Sequence, residues 1–233
     1  MPLQILTYTH HLTTMLFGIF LSAFFLGVKQ NKKNVCILLG GGAVSGLFFL
    51  ICNTVFGSLF TEAVYPIFVH LPLFLLLVFY YRFRWLPSII SIMTAYLCCQ
   101  FSNWAGIFAL SLSGLDWVYY LVRIIVTVAV FAFLSRYLCQ TTALLLAKSD
   151  RELYILGAMP FVYYVFDYST TKFSMLLYSG NKVVVEFLAF AMCISYVIFL
   201  FVYFQEYELK NRAEQYGQLT NMQSNSLHSE IEQ

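Results

Sequence analysis

Apolar residues fill this chain in long runs, separated by short clusters of charged and turn-forming residues. A helix needs about 20 apolar residues to cross roughly 30 Å of hydrocarbon, and seven runs are interpreted as such crossings. They occupy residues 6–28, 35–59, 65–81, 88–112, 117–134, 153–168 and 183–204. The fourth run begins after Pro87 and ends before Ser113 and Gly114, and Pro160 predicts a kink in the short sixth run. The pattern predicts an all-α, polytopic membrane protein with seven transmembrane helices.

Composition excludes a water-soluble globule. The chain of 233 residues is 61% hydrophobic and only 10% charged, whereas about 25% of residues in soluble domains are charged. Its net charge of +2 and the absence of a basic run exclude nucleic acid as an expected partner. The amino terminus lacks the basic residues and the cleavage pattern of a signal peptide, so the first helix is expected to remain. The lipid bilayer is the expected surrounding.

Basic residues between the runs predict the orientation of the chain, because cytoplasmic loops carry an excess of Lys and Arg. With the carboxyl terminus inside, ten basic residues fall in cytoplasmic loops and only Lys172 and Lys182 fall outside. The opposite orientation inverts this ratio. We therefore expect a multi-pass protein of the cell membrane with its amino terminus outside and its carboxyl terminus in the cytoplasm.

The composition changes after Phe204, which divides the chain into a membrane domain, 1–204, and a cytoplasmic segment, 205–233. The second part is rich in Gln, Glu and Asn and reads as a helix that leaves the membrane. Apolar residues recur along it at spacings close to those of a two-helix seam. They are Leu209, Ala213, Tyr216, Leu219, Met222 and Leu227. A homodimeric coiled coil that transmits a signal is favoured over the alternative, a solvated tail.

Motifs for catalysis or metal binding are missing from the sequence. It contains no HExxH, no phosphate-binding loop and no GxSxG turn, and its six cysteines lack CxxC spacing. The cysteines are interpreted as packing residues. His10 and His11, at the outer end of the first run, are interpreted as interfacial polar residues. No catalytic residue, metal or cofactor is therefore assigned to this chain.

Ionisable residues at membrane depth are the candidate functional residues. Each costs at least ~2.5 kcal/mol at the centre of a span unless it is paired or hydrated. Arg123 lies seven residues after Asp116, about 10 Å below the outer surface. Glu186, Asp167 and His70 are expected to join it around one outward-facing cavity. Two interpretations stay open: an intramembrane charge network that recognises a signal, or an ion pair of Arg123 with Glu186 or Asp167 that holds helices together.

The stretch 157–207 resembles the membrane sensor region of GHKL-type bacterial sensor histidine kinases, which include the Agr-type quorum-sensing receptors. The resemblance covers closely only the last third of the chain. The residues that carry it are Met159-Pro160-Phe161, Tyr163-Tyr164, Phe166-Asp167-Tyr168, Leu176-Leu177-Tyr178-Ser179-Gly180, Val185-Glu186-Phe187-Leu188, Cys193 and Tyr196.

The resemblance implies a signal receptor that passes an extracellular or membrane signal through its last helix to a cytoplasmic kinase core. ATP, Mg²⁺ and a response regulator are expected partners of that core, which this chain does not contain. His228 does not match the family's basic-flanked phosphoacceptor motif, so that role is not assigned to it. The chain is expected to be a fragment of a longer kinase or a naturally short product. The alternative function is a component of a small seven-span transporter or channel.

Overall fold

The computed structural model describes residues 2–57, 60–61, 64–172 and 182–231, and side chains over 3–57, 60–61, 64–150, 152–167 and 187–223. The described residues are almost entirely helical and include no β-strand. The helices are α1 (Pro2–Phe25), α2 (Lys32–Phe56), α3 (Pro66–Tyr80), α4 (Trp85–Cys98), α5 (Gln100–Ser113), α6 (Asp116–Tyr137), α7 (Cys139–Leu146), α8 (Asp150–Lys172) and α9 (Lys182–Ile231). The predicted all-α class is confirmed.

Four helical segments are long and apolar enough to cross a membrane. They are Lys32–Phe56, Trp85–Ser113, Asp116–Tyr137 and Phe187–Gln223. The second of these contains α4 and α5, which meet at Cys99. α3 is apolar but shorter than these four. The described structure therefore supports a membrane protein of several spans and matches the second, fourth, fifth and seventh predicted runs.

Local sequence signals explain several helix ends. The Asn31 side chain accepts a hydrogen bond of 2.8 Å from the backbone N–H of Asn34 and thereby caps the start of α2. α5 ends at Gly114, whose φ of 66° lies in the left-handed region that glycine adopts without strain. α3 has Pro66 in its first turn, and the Leu71 N–H bonds to the Pro66 carbonyl across five residues, as in a π-helix.

α1 is packed against α2, α4, α6 and α7. Its second half supplies a large part of the core, with Leu21, Ala23 and Phe25 fully buried. The Ser91 hydroxyl of α4 donates a 2.5 Å hydrogen bond to the Ser22 carbonyl. A helix that is only moderately apolar is thus enclosed by neighbours on several sides.

Two pairs of helices run parallel. In α1 and α6, the His10 ring lies 5.9 Å from Tyr120, and further along Phe24 lies 6.2 Å from Phe131. In α4 and α8, Ile90 adjoins Gly157, and Tyr96 bonds to Asp167 further along both helices.

Antiparallel contacts join the remaining neighbours. Phe48 of α2 lies 5.2 Å from Phe68 of α3, and Leu76 lies beside Gly41. α5 and α6 form a hairpin around Gly114. The beginning of α9 runs antiparallel to α5: the rings of Phe187 and Trp104 are 5.8 Å apart, and those of Phe190 and Phe101 are 5.7 Å apart.

The chain divides into two compact units, Met1–Tyr196 and Val197–Gln233. The first holds the helical bundle. In the second, side chains from 212 to 223 are exposed, among them Leu219 and Met222, at 56% and 67%. The side chain of Leu227 lies outside the described residues.

Candidate functional site

The described contacts of the predicted charge-network residues fall into two clusters, which come near one another at Cys99, close to both Tyr65 and Arg123. His70 and Asp167 belong to one cluster, and Arg123 belongs to another. The side chain of Glu186 lies outside the described residues, so the pair predicted between Arg123 and Glu186 does too.

The His70 cluster consists of His70, Tyr164, Tyr96, Asp167 and Tyr65. The His70 Nδ1 atom is hydrogen-bonded to the Tyr164 hydroxyl at 2.8 Å, and the Tyr96 hydroxyl donates to Asp167 Oδ2 at 2.5 Å. Ring centroids of Tyr96 and Tyr164 are 4.9 Å apart, and the Tyr65 ring lies 5.4 Å from His70. These contacts tie α3, α4 and α8 together through polar groups.

Asp167 therefore has a partner other than Arg123. Its carboxylate accepts a hydrogen bond from Tyr96, and no ion pair between Asp167 and Arg123 is found among the described side chains. A phenol that donates to a carboxylate makes a charge-assisted hydrogen bond, which stabilises the charged form within a helix bundle. The cluster offers a polar connection between helices.

The Arg123 cluster consists of Arg123, Tyr119, Gly106, Thr127 and His10. Arg123 Nη1 donates a hydrogen bond to the Tyr119 hydroxyl, and its guanidinium carbon lies 5.1 Å from the Tyr119 ring centroid. Gly106 of α5 lies directly against the arginine stem: an added Cβ there would overlap Cγ and lie 2.8 Å from Cδ. Because Gly106 has no side chain, the stem of Arg123 fits into the space between α5 and α6.

His10 is buried among protein side chains, with only 4% of it exposed. It lies near enough to Arg123 and His11 to experience their charge, and its Nδ1 is 3.4 Å from the Thr14 hydroxyl. The physical reason is that α1 runs parallel to α6, which brings the amino-terminal turns of both helices to one level.

Sequence reasoning missed Thr127, Tyr96 and Tyr164. Thr127 was one polar residue in an apolar run, but it follows Arg123 by four positions, which places both on one helix face. Tyr164 likewise precedes Asp167 by three positions. Tyr96 has no such signal, because its partner lies 71 residues away.

The cysteines fit the interpretation as packing residues in most positions. Cys52, Cys98, Cys139 and Cys193 are buried, whereas Cys36 is exposed. Cys98 and Cys193 lie close enough to interact, which places α4 beside the first part of α9. No group of three or more metal-binding side chains occurs among the residues that were described.

Comparison with known proteins gives no relative: no family model, no curated protein and no solved structure matches this chain.

Proposed function

We propose that this chain is the membrane signal receptor of a two-component sensor histidine kinase, whose kinase core lies outside the chain. The observation that carries the proposal is α9, a single helix of 50 residues from Lys182 to Ile231. Its beginning packs in the bundle, where the Tyr196 hydroxyl donates to the Leu156 carbonyl at 2.9 Å. Its later residues are polar and exposed. Movement of such a helix at one end displaces its other end.

The predicted seven crossings are part of this proposal, and helix directions support them. In a seven-span chain, the first and fifth crossings run the same way, as α1 and α6 do. The fourth and sixth also agree in direction, as α4 and α8 do. The seventh opposes the fourth, in agreement with the antiparallel contacts of α9 with α5.

The proposed orientation, with the amino terminus outside, is supported by the grouping of basic loops at one end. Arg84 pairs with Asp150 and donates to the Lys148 carbonyl at 3.1 Å. A Cβ at Gly27, which directly precedes the first basic loop, would lie 3.4 Å from the Cβ of Ala143. The positive-inside rule then assigns this end to the cytoplasm.

The exposed seam of the second unit suits a parallel homodimer. Leu209, Tyr216, Leu219 and Met222 are between 56% and 70% exposed, and association of two copies would cover them. Dimerisation brings two receptor helices together, which is the geometry in which a relative rotation changes the distance between attached kinase cores.

A helical-phase experiment tests the proposal. A histidine-kinase core is fused after Gln233, and one to seven alanines are inserted after Gln205. Each residue rotates the following helix by about 100°, so autophosphorylation is expected to vary periodically and to return near its starting level at seven. Gly-Ser insertions of equal length are the control, because they interrupt the helix and should abolish the periodicity. Uniform autophosphorylation across both series would contradict transmission through α9.

Uptake of a solute by vesicles that contain only this chain would favour the transporter alternative instead.

A further inference from the structure

Two parallel helices bring basic side chains to the same end of the bundle. The rings of Phe24 in α1 and Phe131 in α6 lie 6.2 Å apart near the ends of these helices. A basic residue follows each ring by five positions, Lys29 after Phe24 and Arg136 after Phe131. Lys29 and Arg136 therefore lie at a similar level.

The antiparallel helices α2 and α3 bring three more basic residues to this end. Leu76 of α3 lies beside Gly41 of α2. Lys32 and Lys33 begin α2, and Arg82 follows the end of α3, so all three lie on the same side of this contact. The short connection between α1 and α2 places them at the same end as the first two. The side chains that we call the basic rim are Lys29, Lys32, Lys33, Arg82 and Arg136.

The basic rim carries excess positive charge. All five of its side chains are exposed, and none of them forms an ion pair with a described residue. Arg84 and Lys148 lie at the same end, but they are paired with Asp150 and Glu152. These two are the described carboxylates of the first unit at this end, so no described carboxylate of that unit is left to balance the rim.

Exposed aromatic side chains accompany the basic rim. Tyr80 and Trp85, on either side of Arg82 in the chain, are 50% and 57% exposed. Tyr137, directly after Arg136, is 60% exposed. Tyr and Trp are enriched where membrane helices meet the lipid headgroups. Exposed cations with exposed aromatic neighbours are therefore typical of a helix end at the headgroup level.

Arg82 has an unusual backbone conformation for an arginine. Its φ of 58° lies in the left-handed region, and no other non-glycine residue among those described has a positive φ. It directly follows the Tyr81 cap at the end of α3, the position at which glycine is the usual residue. A charged side chain at a position that suits glycine better points to a role beyond folding.

We propose that the basic rim binds anionic phospholipid, with Arg82 in direct contact with a headgroup phosphate. A guanidinium donates two parallel hydrogen bonds to a phosphate, and each basic residue near an anionic membrane surface strengthens the attraction about fivefold. Phosphatidylglycerol carries the net negative charge that complements the rim, whereas phosphatidylcholine carries no net charge. The neighbouring Tyr80 and Trp85 favour a lipid over a free anion, because their amphipathic rings suit the headgroup level of a bilayer.

Quenching of tryptophan fluorescence by brominated lipid measures this binding. One full-length chain retains only Trp85, through Trp104→Phe and Trp117→Phe, and a second retains only Trp117, through Trp85→Phe and Trp104→Phe. Each is reconstituted into bilayers in which either the phosphatidylglycerol or the phosphatidylcholine is brominated, and the two quenching curves give the relative affinity of the lipids at that tryptophan.

The two tryptophans should report different lipid preferences. At Trp85 we expect phosphatidylglycerol to be preferred at least about fivefold, and about 1 M salt should reduce this preference. Trp117 is the matched control, because it is 49% exposed but lies beside Asp116 at the start of α6, the opposite end of that helix from the rim. The two lipids should quench it about equally.

Variants of Arg82 in the chain that retains Trp85 locate the contact. Arg82→Gly should lower the preference about threefold to fivefold, whereas Arg82→Lys, which keeps the charge, should retain it within about twofold. Glycine adopts a φ of 58° freely, so Arg82→Gly should unfold at the same SDS fraction as its parent or at a higher one. A purely structural role for Arg82 predicts no loss of lipid preference in a variant that is as stable as its parent. Arg82→Asn is a second neutral variant, because asparagine also adopts the left-handed conformation.

Three results would overturn the proposal: equal affinity of the two lipids at Trp85, the same preference at Trp85 and Trp117, or an unchanged preference in both neutral variants of Arg82. The comparison of Trp85 with Trp117 needs no change at Arg82, so it tests the rim even where a variant does not fold. None of these results bears on the receptor function, which is tested separately with the fused kinase core.

Discussion

The contact between Gly157 of α8 and Ile90 of α4 allows a sharp test of how these two helices pack. A Cβ at Gly157 would lie 2.7 Å from Ile90 Cγ1 and 2.8 Å from Cδ1. Ordinary contacts of this kind begin at 3.4 Å, so Gly157→Ala creates an overlap of about 0.6 to 0.7 Å at two atoms. Ile90 is only 4% exposed and belongs to a packed core, which limits its ability to move away.

The expected magnitudes follow from this geometry. Overpacking costs about 1 to 3 kcal/mol, and replacing glycine by alanine in a helix returns about 1 kcal/mol, so Gly157→Ala should destabilise by up to about 2 kcal/mol. Ile90→Ala alone should cost about 2 to 5 kcal/mol. In the Ile90→Ala background the overlap disappears, and Gly157→Ala should then stabilise by about 1 to 2 kcal/mol through helix propensity and partial filling of the cavity.

The assay is the unfolding free energy from SDS titration of the purified chain in mixed micelles, followed by circular dichroism. The double-mutant cycle should give a coupling of about 1 to 4 kcal/mol, with Gly157→Ala stabilising only in the Ile90→Ala background. Gly40→Ala is the control, because no atom lies within 4 Å of an added Cβ there. An effect of Gly157→Ala with the same sign and size in both backgrounds would refute the α4–α8 contact, and with it the parallel register that joins Tyr96 to Asp167.

Three further predictions concern accessibility and association. In a chain without other cysteines, Ser113→Cys should react with an impermeant maleimide added outside cells, and Asn31→Cys should not. Cysteine placed at Leu219 should crosslink identical chains, because the dimer seam brings the two copies together. Burial raises the pKa of the Cys139 thiol from its usual value of 9.0 to about 12, so its thiolate fraction below pH 9 falls about a thousandfold. A variant that retains only Cys139 should accordingly be alkylated by N-ethylmaleimide at pH 8 much more slowly than one that retains only the exposed Cys36.

Each of these outcomes has a result that contradicts it. Labelling at position 31 from outside would invert the proposed orientation. Crosslinking at Leu219 that is no stronger than at Asn221, about 200° around the helix, would favour a solvated tail. Alkylation of Cys139 within tenfold of the rate at Cys36 would show that this thiol is open to water. For Cys139, raising the pH from 8 to 9 should raise the alkylation rate about tenfold, since the thiolate fraction rises tenfold per pH unit below the pKa.

Helix positions were largely predictable, because apolar runs and the residues that interrupt them can be read from consecutive positions of the sequence. The run predicted at 117–134 became Asp116–Tyr137, and the break at Gly114 is where α5 ends. The apolar residues predicted to form a dimer seam after Phe204 lie on a helix, α9. Their pairing with a second copy of the chain stays a prediction. α7 was not predicted, because its eight residues are too few to give a clear periodic signal.

The two clusters were less predictable, because the sequence does not show how far one helix is shifted or rotated against its neighbour. A helix in a membrane is apolar on nearly all sides, so its sequence gives no strong indication of which side faces a neighbour. Arg123 was identified from its charge alone, whereas its contact with Gly106 depends on how the α5–α6 hairpin closes. Asp167 and His70 were likewise identified, but the tyrosines that join their helices were not.

The enclosed position of α1 has a consequence for the order in which the chain assembles during synthesis. α1 ends at Phe25, yet one helix that packs against it, α7, is complete only at Leu146. At about 5 to 20 residues per second, ribosomes need roughly 6 to 24 seconds to make the intervening 121 residues. During that interval the buried face of α1, which includes His10, has to be accommodated by the insertion machinery or by lipid. Among the described helices, α1 therefore waits the longest for the neighbours that enclose it.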